Sequence, residues 1–393
     1  MRLALSRNER AQISDLNVKI VQAGVMKARA AFLPVVNADG NNILRPFDKS
    51  PIDTATAHLT VSQPLLVPSA FPLYSEAKEN LASQIAQTVD DKRQLSFDAA
   101  KAFLNVLLAE KVLLAANRKL GTARADLADT QAQMAAALVS SNDVTRAQIS
   151  LSSSEREVAS DQGGVDAAYL QLAFVVNSAV TPGLTPPTTL LDASERPLPP
   201  LAQLIAASIA RRPDLVAKKH AAIAAHDFAR EPRMRFFPTV GVSAEGTATT
   251  SAAGGGHEID AQLALTASWD IWDAGVRDAD AHSRDASAEI ADLTTKTLIR
   301  TIEVQVRTAV VQLAAAQQAL IAARDAMVAS AKSATETAIL YKQGLAKAIE
   351  LLDANDQRFE AEVDYAAAQD TVANAYLALR QAMGFDPIGT ELT

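Results

Sequence analysis

The sequence predicts a mainly α-helical protein with a small β part, organised as two tandem repeats, and three observations support this fold class. Hydrophobic residues make up 49% of the chain but aromatic residues only 5%, and much of the apolar fraction is alanine, which favours long helices packed closely side by side. Apolar residues at heptad spacing run through two long segments. Related motifs recur 204 or 207 positions apart.

The charge and residue content exclude several classes of protein. Lys and Arg number 37 against 45 Asp and Glu, which gives a net charge of −8 without any basic run, so nucleic acid is not an expected partner. The chain has no cysteine and therefore no disulfide or thiolate chemistry. The first ten residues turn polar after Leu5 and predict no signal peptide. No unbroken apolar run reaches the roughly 18 to 20 residues of a membrane-spanning helix.

A change of hydrophobic period predicts a two-stranded β-hairpin at about 35–64. Residues 32–36 read FLPVV and end an alanine-rich helical pattern that covers 3–31. Between Thr54 and Gln63 apolar and polar residues alternate, which is the period of a strand with one buried face. We therefore expect two strands of roughly ten residues joined by a polar loop.

An almost unbroken heptad seam predicts a long helix at 73–137. Apolar or small residues follow alternating spacings of four and three from Leu81 to Ala137, as in a coiled coil. At 1.5 Å per residue this helix is roughly 97 Å long. It ends at the turn ALVSSND, and a second helix at 142–178 returns from there. The first repeat, 1–180, is therefore expected to contain a long antiparallel coiled-coil hairpin.

A proline-rich linker at 181–200 is expected to separate the repeats, because its prolines forbid a continuous helix. The seam from Ile302 to Met327 lies 207 positions after the seam from Leu95 to Leu120, which indicates a duplication. The second repeat, 201–393, is thus expected to contain a helix at 201–231, a β-hairpin at about 238–272, and long helices at 276–343 and 346–384.

The strands leave two interpretations open. Ten alternating residues span an outer membrane when tilted, but the same pattern also suits a soluble hairpin that covers a helix bundle. Four strands cannot close a membrane barrel, whose smallest forms have about eight. The membrane interpretation therefore requires several copies of the chain to pool their strands.

Six motifs follow one another along the chain: SQPLL (62–66), AKAFLNVLLAE (100–110), RRPDL (211–215), SWDIWDAG (268–275), YKQGLAKAIELLDAN (341–355) and AYLALRQAMG (375–384). In their order and spacing they resemble the TolC-like outer membrane efflux proteins. The resemblance implies a homotrimer whose protomers form a twelve-stranded β-barrel in outer membrane lipid and an α-helical periplasmic tunnel. It also implies a passive duct without cofactor or metal, with a periplasmic adaptor protein and an inner-membrane pump as partners.

The resemblance further implies a channel gate near the turn between the last two long helices. Tyr341 matches the family's gating tyrosine, and Glu350 and Asp353 match acidic positions that ring the constriction. Lys347 adjoins the position of a basic gate residue, and Asp143 aligns with Glu350 in the first repeat. The residues expected to contact the adaptor at the helical tips are Leu138, Val139, Ser140, Gly344, Leu345 and Ala346.

Two further predictions concern the membrane surface and catalysis. Trp269 and Trp272 follow the last predicted strand, where they suit an aromatic girdle at the membrane interface; a small core contact is an equal alternative for Trp272. The five histidines lack metal-ligand spacing, and the sequence contains no catalytic motif, so we expect no enzyme. The expected location is the bacterial outer membrane with a periplasmic helical part. The alternative function is a soluble coiled-coil periplasmic scaffold or adaptor.

Overall fold

In a computed structural model, which describes residues 1–43, 54–251 and 257–389, the chain is mainly helical with one small sheet. It divides into two compact units. The first comprises residues 1–14, 89–212 and those from 299 onward, and the second comprises residues 15–88 and 213–298. The fold class expected from the sequence is confirmed at this level, as long helices and a small antiparallel sheet.

The helices of the first half are α1 (Arg2–Arg7), α2 (Glu9–Ala30), α3 (Ala70–Ala135) and α4 (Ser141–Val176). Those that follow are α5 (Thr188–Ser194), α6 (Leu201–Arg211), α7 (Pro213–Met234), α8 (Val276–Lys342) and α9 (Ala348–Ala382). The long helices α3 and α8 have 66 and 67 residues, which corresponds to about 100 Å each at 1.5 Å per residue.

Two of the expected helices are broken, each at a local capping signal. The helix expected at 3–31 is interrupted at Asn8, which is buried and donates from its side-chain amide to the carbonyl of Val175 at 2.8 Å. Its side-chain oxygen accepts from the backbone N–H of Arg10, as a residue that begins a helix does. The helix expected at 201–231 is interrupted between Arg211 and Pro213, because proline favours the first position of a new helix.

The four strands are β1 (Val35–Ile43), β2 (Thr54–Leu66), β3 (Thr239–Ser251) and β4 (His257–Ser268). They form one antiparallel sheet in the order β1-β2-β3-β4. The two expected hairpins are therefore hydrogen-bonded to each other through β2 and β3. Within this sheet, β1 and β4 are the edge strands.

The register gives the sheet one apolar and one polar face. Leu59 is paired with Gly246, and Ala244 is paired with both Val61 and Leu263, so the apolar residues of neighbouring strands share a face. On β4 this face carries Ile259, Leu263 and Leu265, which are 82%, 77% and 72% exposed. The opposite face carries His58, which lies 3.2 Å from Glu245, and Gln262, which donates to Glu245.

The heptad seam forms the core of the first unit. On α3 the seam residues Leu95, Ala99 and Val106 are buried and pack in one cluster with Leu172 and Val176 of α4. On α8 the corresponding seam residues are also buried, namely Ile302, Val306, Ala309, Leu313, Ala316 and Leu320. The side chains of this seam are apolar and many of them are small, which permits close packing of the helices.

Three arginines contact the carboxyl end of α9 or the residues just after it. Two of them, Arg211 and Arg212, begin the RRPDL motif. Arg93 is buried in an ion pair with Asp90 and donates to the carbonyl of Gln381 at 2.8 Å. Arg212 donates to the carbonyl of Ala382 at 3.1 Å, and Arg211 lies 4.0 Å above the ring of Phe385. Cations at a helix carboxyl end are favourable because unpaired carbonyls collect there. These hydrogen bonds hold the carboxyl end of α9 to α3 and to the residue between α6 and α7 within the first unit.

The second unit contains the sheet and the helix segments joined to it. Ser83 of α3 donates to the carbonyl of Ala217 of α7, and Glu79 lies 2.6 Å from His220. Glu231 of α7 is almost fully buried between Arg235 and Arg284, at 2.6 Å from each. Helix α7 is therefore tied by polar contacts both to α3 and to the start of α8.

Within the described residues, one helix is long and apolar enough to cross a membrane by length and composition, and it is α8. The sequence contains no unbroken apolar run of that length. The mean hydropathy of an 18-residue stretch of α8 is nevertheless high, because alanine, valine and leucine outnumber its polar residues.

Candidate gate at the helical hairpin turns

The two turns that join the long helices have the same backbone structure. After α3, the N–H of Leu138 donates to the carbonyl of Gln133 at 2.9 Å, and the N–H of Ala137 donates to that of Met134. After α8, Leu345 and Gly344 make the same two bonds to Leu340 and Tyr341. This pair of bonds is the Schellman motif, which ends a helix with one left-handed residue. The left-handed residues are Ala137, with φ 55°, and Gly344, with φ 75°.

The next helix begins in the same way after both turns. The backbone N–H of Ser140 donates to the Asp143 carboxylate at 3.0 Å, and the backbone N–H of Lys347 donates to the Glu350 carboxylate at 3.0 Å. An acidic residue in this position supplies one half of a capping box. After α3 the Ser140 side chain supplies the other half by accepting from the backbone N–H of Asp143, whereas the Lys347 ammonium group cannot accept a hydrogen bond. Hydrogen bonds from the Ser140 side chain, and then from its backbone, lower the pKa of Asp143. Asp143 and Glu350 therefore have a structural role in addition to their charge.

Tyr341 is buried against α3. Its hydroxyl oxygen lies 3.4 Å from the Thr130 hydroxyl oxygen, and both residues are buried. Next to them, Lys342, which follows Tyr341, and Asp129, which precedes Thr130, form an exposed ion pair at 3.9 Å. The end of α8 is therefore held to α3 by one buried polar contact and one weak surface contact.

Asp126 is a titratable group close to this contact. It accepts a hydrogen bond from the side-chain amide of Asn355 on α9 at 2.8 Å. Burial, and then the neighbouring Asp129 carboxylate, raises the pKa of Asp126 to about 6. This carboxyl group therefore changes its charge near neutral pH.

The structure places the remaining expected tip residues at the surface. Leu138 and Leu345, which follow the left-handed residues, are 75% and 72% exposed. Val139, Ser140 and Ala346 complete the two turns. Lys347 is exposed, and its backbone rather than its ammonium group makes the capping contact. Asp353 is exposed on α9, three residues after Glu350, and takes no part in either capping box.

Sequence reasoning missed Thr130 and Asp126 as parts of this site. Thr130 is a polar member of the α3 heptad seam, but its hydroxyl donates to the carbonyl of Asp126 on the same helix at 2.7 Å, so the sequence gives no signal for the contact with Tyr341. Asp126 offers no signal either, since a single aspartate on a long helix is usually solvated. Only tertiary structure brings it next to Asn355.

The two tryptophans lie just beyond β4. The Trp269 indole N–H donates to the carbonyl of Phe236 at 3.0 Å, and the Phe236 ring in turn lies 4.3 Å from the Arg277 guanidinium. Trp269 is 58% exposed and Trp272 is 82% exposed. The exposure of Trp272 does not fit the core contact that was one of its two interpretations. In the parts of the chain with described side chains, no group of three or more His, Asp or Glu residues is placed to hold a metal ion.

Residues 204–385 match the family of outer membrane efflux proteins. This match confirms the resemblance that the sequence motifs indicate. A comparison with curated protein sequences gives no significant match.

The fold is similar to that of solved bacterial channel proteins. The similarity to CusC has a TM-score of 0.85 at 17% identity, covering 98% of this chain and 91% of that chain. For the open state of the outer membrane channel MtrE from Neisseria gonorrhoeae the TM-score is 0.80 at 22% identity, covering 98% and 88%. For the outer membrane protein VceC from Vibrio cholerae it is 0.78 at 16% identity, covering 98% and 95%. The whole chain therefore has the fold of these proteins.

Proposed function

We propose that this chain, whose residues 204–385 belong to the outer membrane efflux protein family, is the outer membrane channel subunit of a tripartite efflux or type I secretion system. It forms a passive exit duct across the outer membrane, with its helical part in the periplasm. Transport through such a duct requires no cofactor and no catalytic residue. The alternative, a soluble periplasmic scaffold or adaptor, is not favoured by the family match.

The observation that carries this proposal is the exposed apolar face of the sheet. Large residues of β4, such as Ile259 and Leu263, are almost fully exposed on one face, while the polar Gln262 lies on the other. Soluble proteins rarely expose a contiguous apolar surface of this kind. Strands of an outer membrane barrel have an apolar face toward lipid and a polar face toward the lumen, so lipid suits the exposed face.

The edges of the sheet support the proposed homotrimer with a twelve-stranded barrel. Strands β1 and β4 present different edges, so that a contact between β4 of one copy and β1 of the next is heterologous and forms a ring when the rotation closes. The helices next to the two edge strands in the chain also expose large apolar residues, namely Leu16 and Ile20 on α2 and Ile290 and Leu293 on α8. Three copies supply twelve strands, which is enough for a membrane barrel.

We also propose that the chain is a tandem repeat of residues 1–180 and 201–393, separated by the linker at 181–200. Three features support this division. The two Schellman turns lie 207 positions apart, as do the capping pairs that follow them. Each half contributes one hairpin to the sheet.

The gate is proposed at the hairpin turns. Tyr341 with Thr130 forms the buried latch, and Lys347, Glu350, Asp353 and Asp143 supply the charges around the constriction. In a threefold assembly each carboxylate forms a ring of like charges, which attracts cations. The exposed Leu138 and Leu345, with their neighbours in each turn, suit contact with an adaptor protein. Trp269 and Trp272 suit the membrane interface.

The first test is the oligomeric state of the full chain, expressed with an export signal and extracted from outer membranes. Light scattering is expected to give a trimer that stays in solution only in detergent. Single-channel recording in planar bilayers then measures whether this trimer conducts ions. A monomer or dimer that is stable in water without detergent would contradict the proposal.

A further inference from the structure

Lys119 is a partly buried cation at the junction of three helices in the first unit. Its ammonium nitrogen lies 3.0 Å from the Glu157 carboxylate of α4 and 3.0 Å from the Asp356 carboxylate of α9, and its side chain is 15% exposed. It also lies 4.5 Å from the centre of the Phe359 ring. A single α3 side chain therefore binds both α4 and α9.

The ammonium group stays charged in this position. Burial alone lowers the pKa of Lys119, but hydrogen bonds to Glu157 and Asp356 outweigh burial and raise it. The two carboxylates are each 3.0 Å from the same nitrogen, so they are separated by no more than twice that distance. Without Lys119, two like charges on different helices would face each other at close range.

The contacts around Lys119 hold one short segment of α9. The adjacent Arg118 pairs with Glu362 of α9 at 3.2 Å, whose side chain is 10% exposed, and Asn355 of α9 donates to Asp126 of α3. Asp356 lies eight residues after Ala348, the first residue of α9, which corresponds to about 12 Å along the helix. The gate residues Glu350 and Asp353 lie within that interval.

Lys119 has no basic counterpart at the corresponding position of the second half. The residue 207 positions after Lys119 is Ala326, although the helix-ending turns recur at that offset.

We propose that Lys119 is a positioning residue. Its ion pairs with Glu157 and Asp356, called the clasp below, hold the first part of α9 to the α3–α4 hairpin and so set the resting position of the gate residues on α9. The inference rests on the proposed channel function. It assigns to Lys119 the control of a movement of α9 away from α3 and α4, because that movement must break the ion pair with Asp356, while the pair with Glu157 holds the ammonium group in place on the α3–α4 hairpin. The contact of Tyr341 with Thr130 acts on α8 and is a separate restraint.

The test compares three variants of the full-length chain. Lys119→Met removes the clasp and leaves Glu157 and Asp356 facing each other. Lys119→Arg retains a cation that reaches both carboxylates. Lys101→Met is the matched control, because Lys101 also joins α3 to α9 but binds only the neutral amide oxygen of Gln381, at 3.3 Å.

Two readouts are measured on each variant. The first is the distance between spin labels at the exposed positions Ser160 on α4 and Gln357 on α9. The second is the frequency of open-channel events in planar bilayers. With Lys119→Met we expect a longer and broader distance distribution and roughly tenfold more frequent openings. Lys119→Arg and Lys101→Met are expected to match the original chain in both readouts.

The outcomes separate the clasp from the channel function. If the original chain does not conduct, the proposed function fails, and the spin-label distance still tests the clasp. If the original chain conducts but Lys119→Met changes neither distance nor opening, the clasp is refuted. It is also refuted if Lys101→Met has the same effect, since any loss of an α3–α9 contact would then suffice. If Lys119→Met fails to assemble, a triple variant that combines Lys119→Arg, Glu157→Gln and Asp356→Asn takes its place. The same two readouts are then measured on this triple variant.

Discussion

Ala137 and Gly344 occupy the same left-handed position in two otherwise similar turns, and only Gly344 suits that conformation. A side chain with a Cβ atom costs about 1 kcal/mol there. We expect Ala137→Gly to raise the free energy of unfolding by up to about 1 kcal/mol and Gly344→Ala to lower it by about the same amount. Thermal unfolding of the two variants measures both changes. Shifts of the same sign would contradict this account.

Asp126 makes the stability of the helix ends depend on pH. Its ordinary pKa is 3.8 and its pKa in the folded chain is about 6, so the folded chain holds the proton more tightly. The contribution of Asp126 to stability is therefore fully present below about pH 4 and is lost as the pH rises through 6. Because the side chain is partly exposed, the loss is discounted to about 1 kcal/mol.

The variant Asp126→Asn is expected to remove this dependence. Its amide oxygen still accepts the hydrogen bond from Asn355 but carries no charge, so the nearby Asp129 no longer repels it. Denaturant unfolding at pH 4 and pH 8 should show equal stability to the original chain at pH 4 and greater stability by about 1 kcal/mol at pH 8. A larger difference at pH 4 than at pH 8 would show that the sign is wrong.

At the scale of residues, sequence identified the positions that have a local pattern. Tyr341, Gly344 and Glu350 were all expected from the resemblance of the motif at 341–355 to the family. Asp126, Asn355 and Lys119 could not be predicted, because their partners are 38 to 237 residues away in the chain. Burial and pairing of such groups depend on the tertiary arrangement of helices.

At the scale of elements, the start of α9 combines a cap with a charge. Glu350→Gln keeps an oxygen that accepts from the backbone N–H of Lys347 but removes the negative charge. Glu350→Ala removes both and is expected to lower the free energy of unfolding by about 1 kcal/mol. Glu350→Gln is expected to leave stability nearly unchanged.

The two Glu350 variants also separate the cap from the gate. Both are expected to reduce the preference of the channel for cations over anions, measured as a reversal potential across a salt gradient, because both remove a ring of three charges. A change in selectivity with Glu350→Ala alone would mean that the cap, and not the charge, controls the pore.

Long elements were more predictable than short ones. The heptad seam predicts α3 at 73–137 and the structure has Ala70–Ala135, because a periodic signal accumulates over many turns. The breaks at Asn8 and Arg212 and the short α5 depend on single caps and prolines, whose effect is decided by contacts such as that of Asn8 with Val175. The pairing of β2 with β3 could not be predicted from the sequence of either hairpin, because it joins one hairpin to the other.

At the scale of the whole molecule, the two faces of the sheet predict different tolerance to charge. Leu263→Arg places a cation on the apolar face, and a charge facing lipid costs about 2–4 kcal/mol near the bilayer midplane. Gln262→Arg is the matched control, because it is adjacent in sequence but lies on the polar face. We expect Leu263→Arg to lose most of the trimer in outer membrane extracts and Gln262→Arg to retain it. Equal yields from both variants would argue against a lipid-facing strand.

The open edges of the four-stranded sheet have a consequence for biogenesis. A newly exported chain carries unpaired backbone groups on β1 and β4, which bilayer hydrocarbon cannot satisfy. If the proposed trimer is correct, a lone chain has no stable inserted state, and insertion must wait until three chains have met. The yield of mature channel should then depend steeply on the rate of synthesis, with slowly made chains lost to periplasmic proteases before they encounter one another.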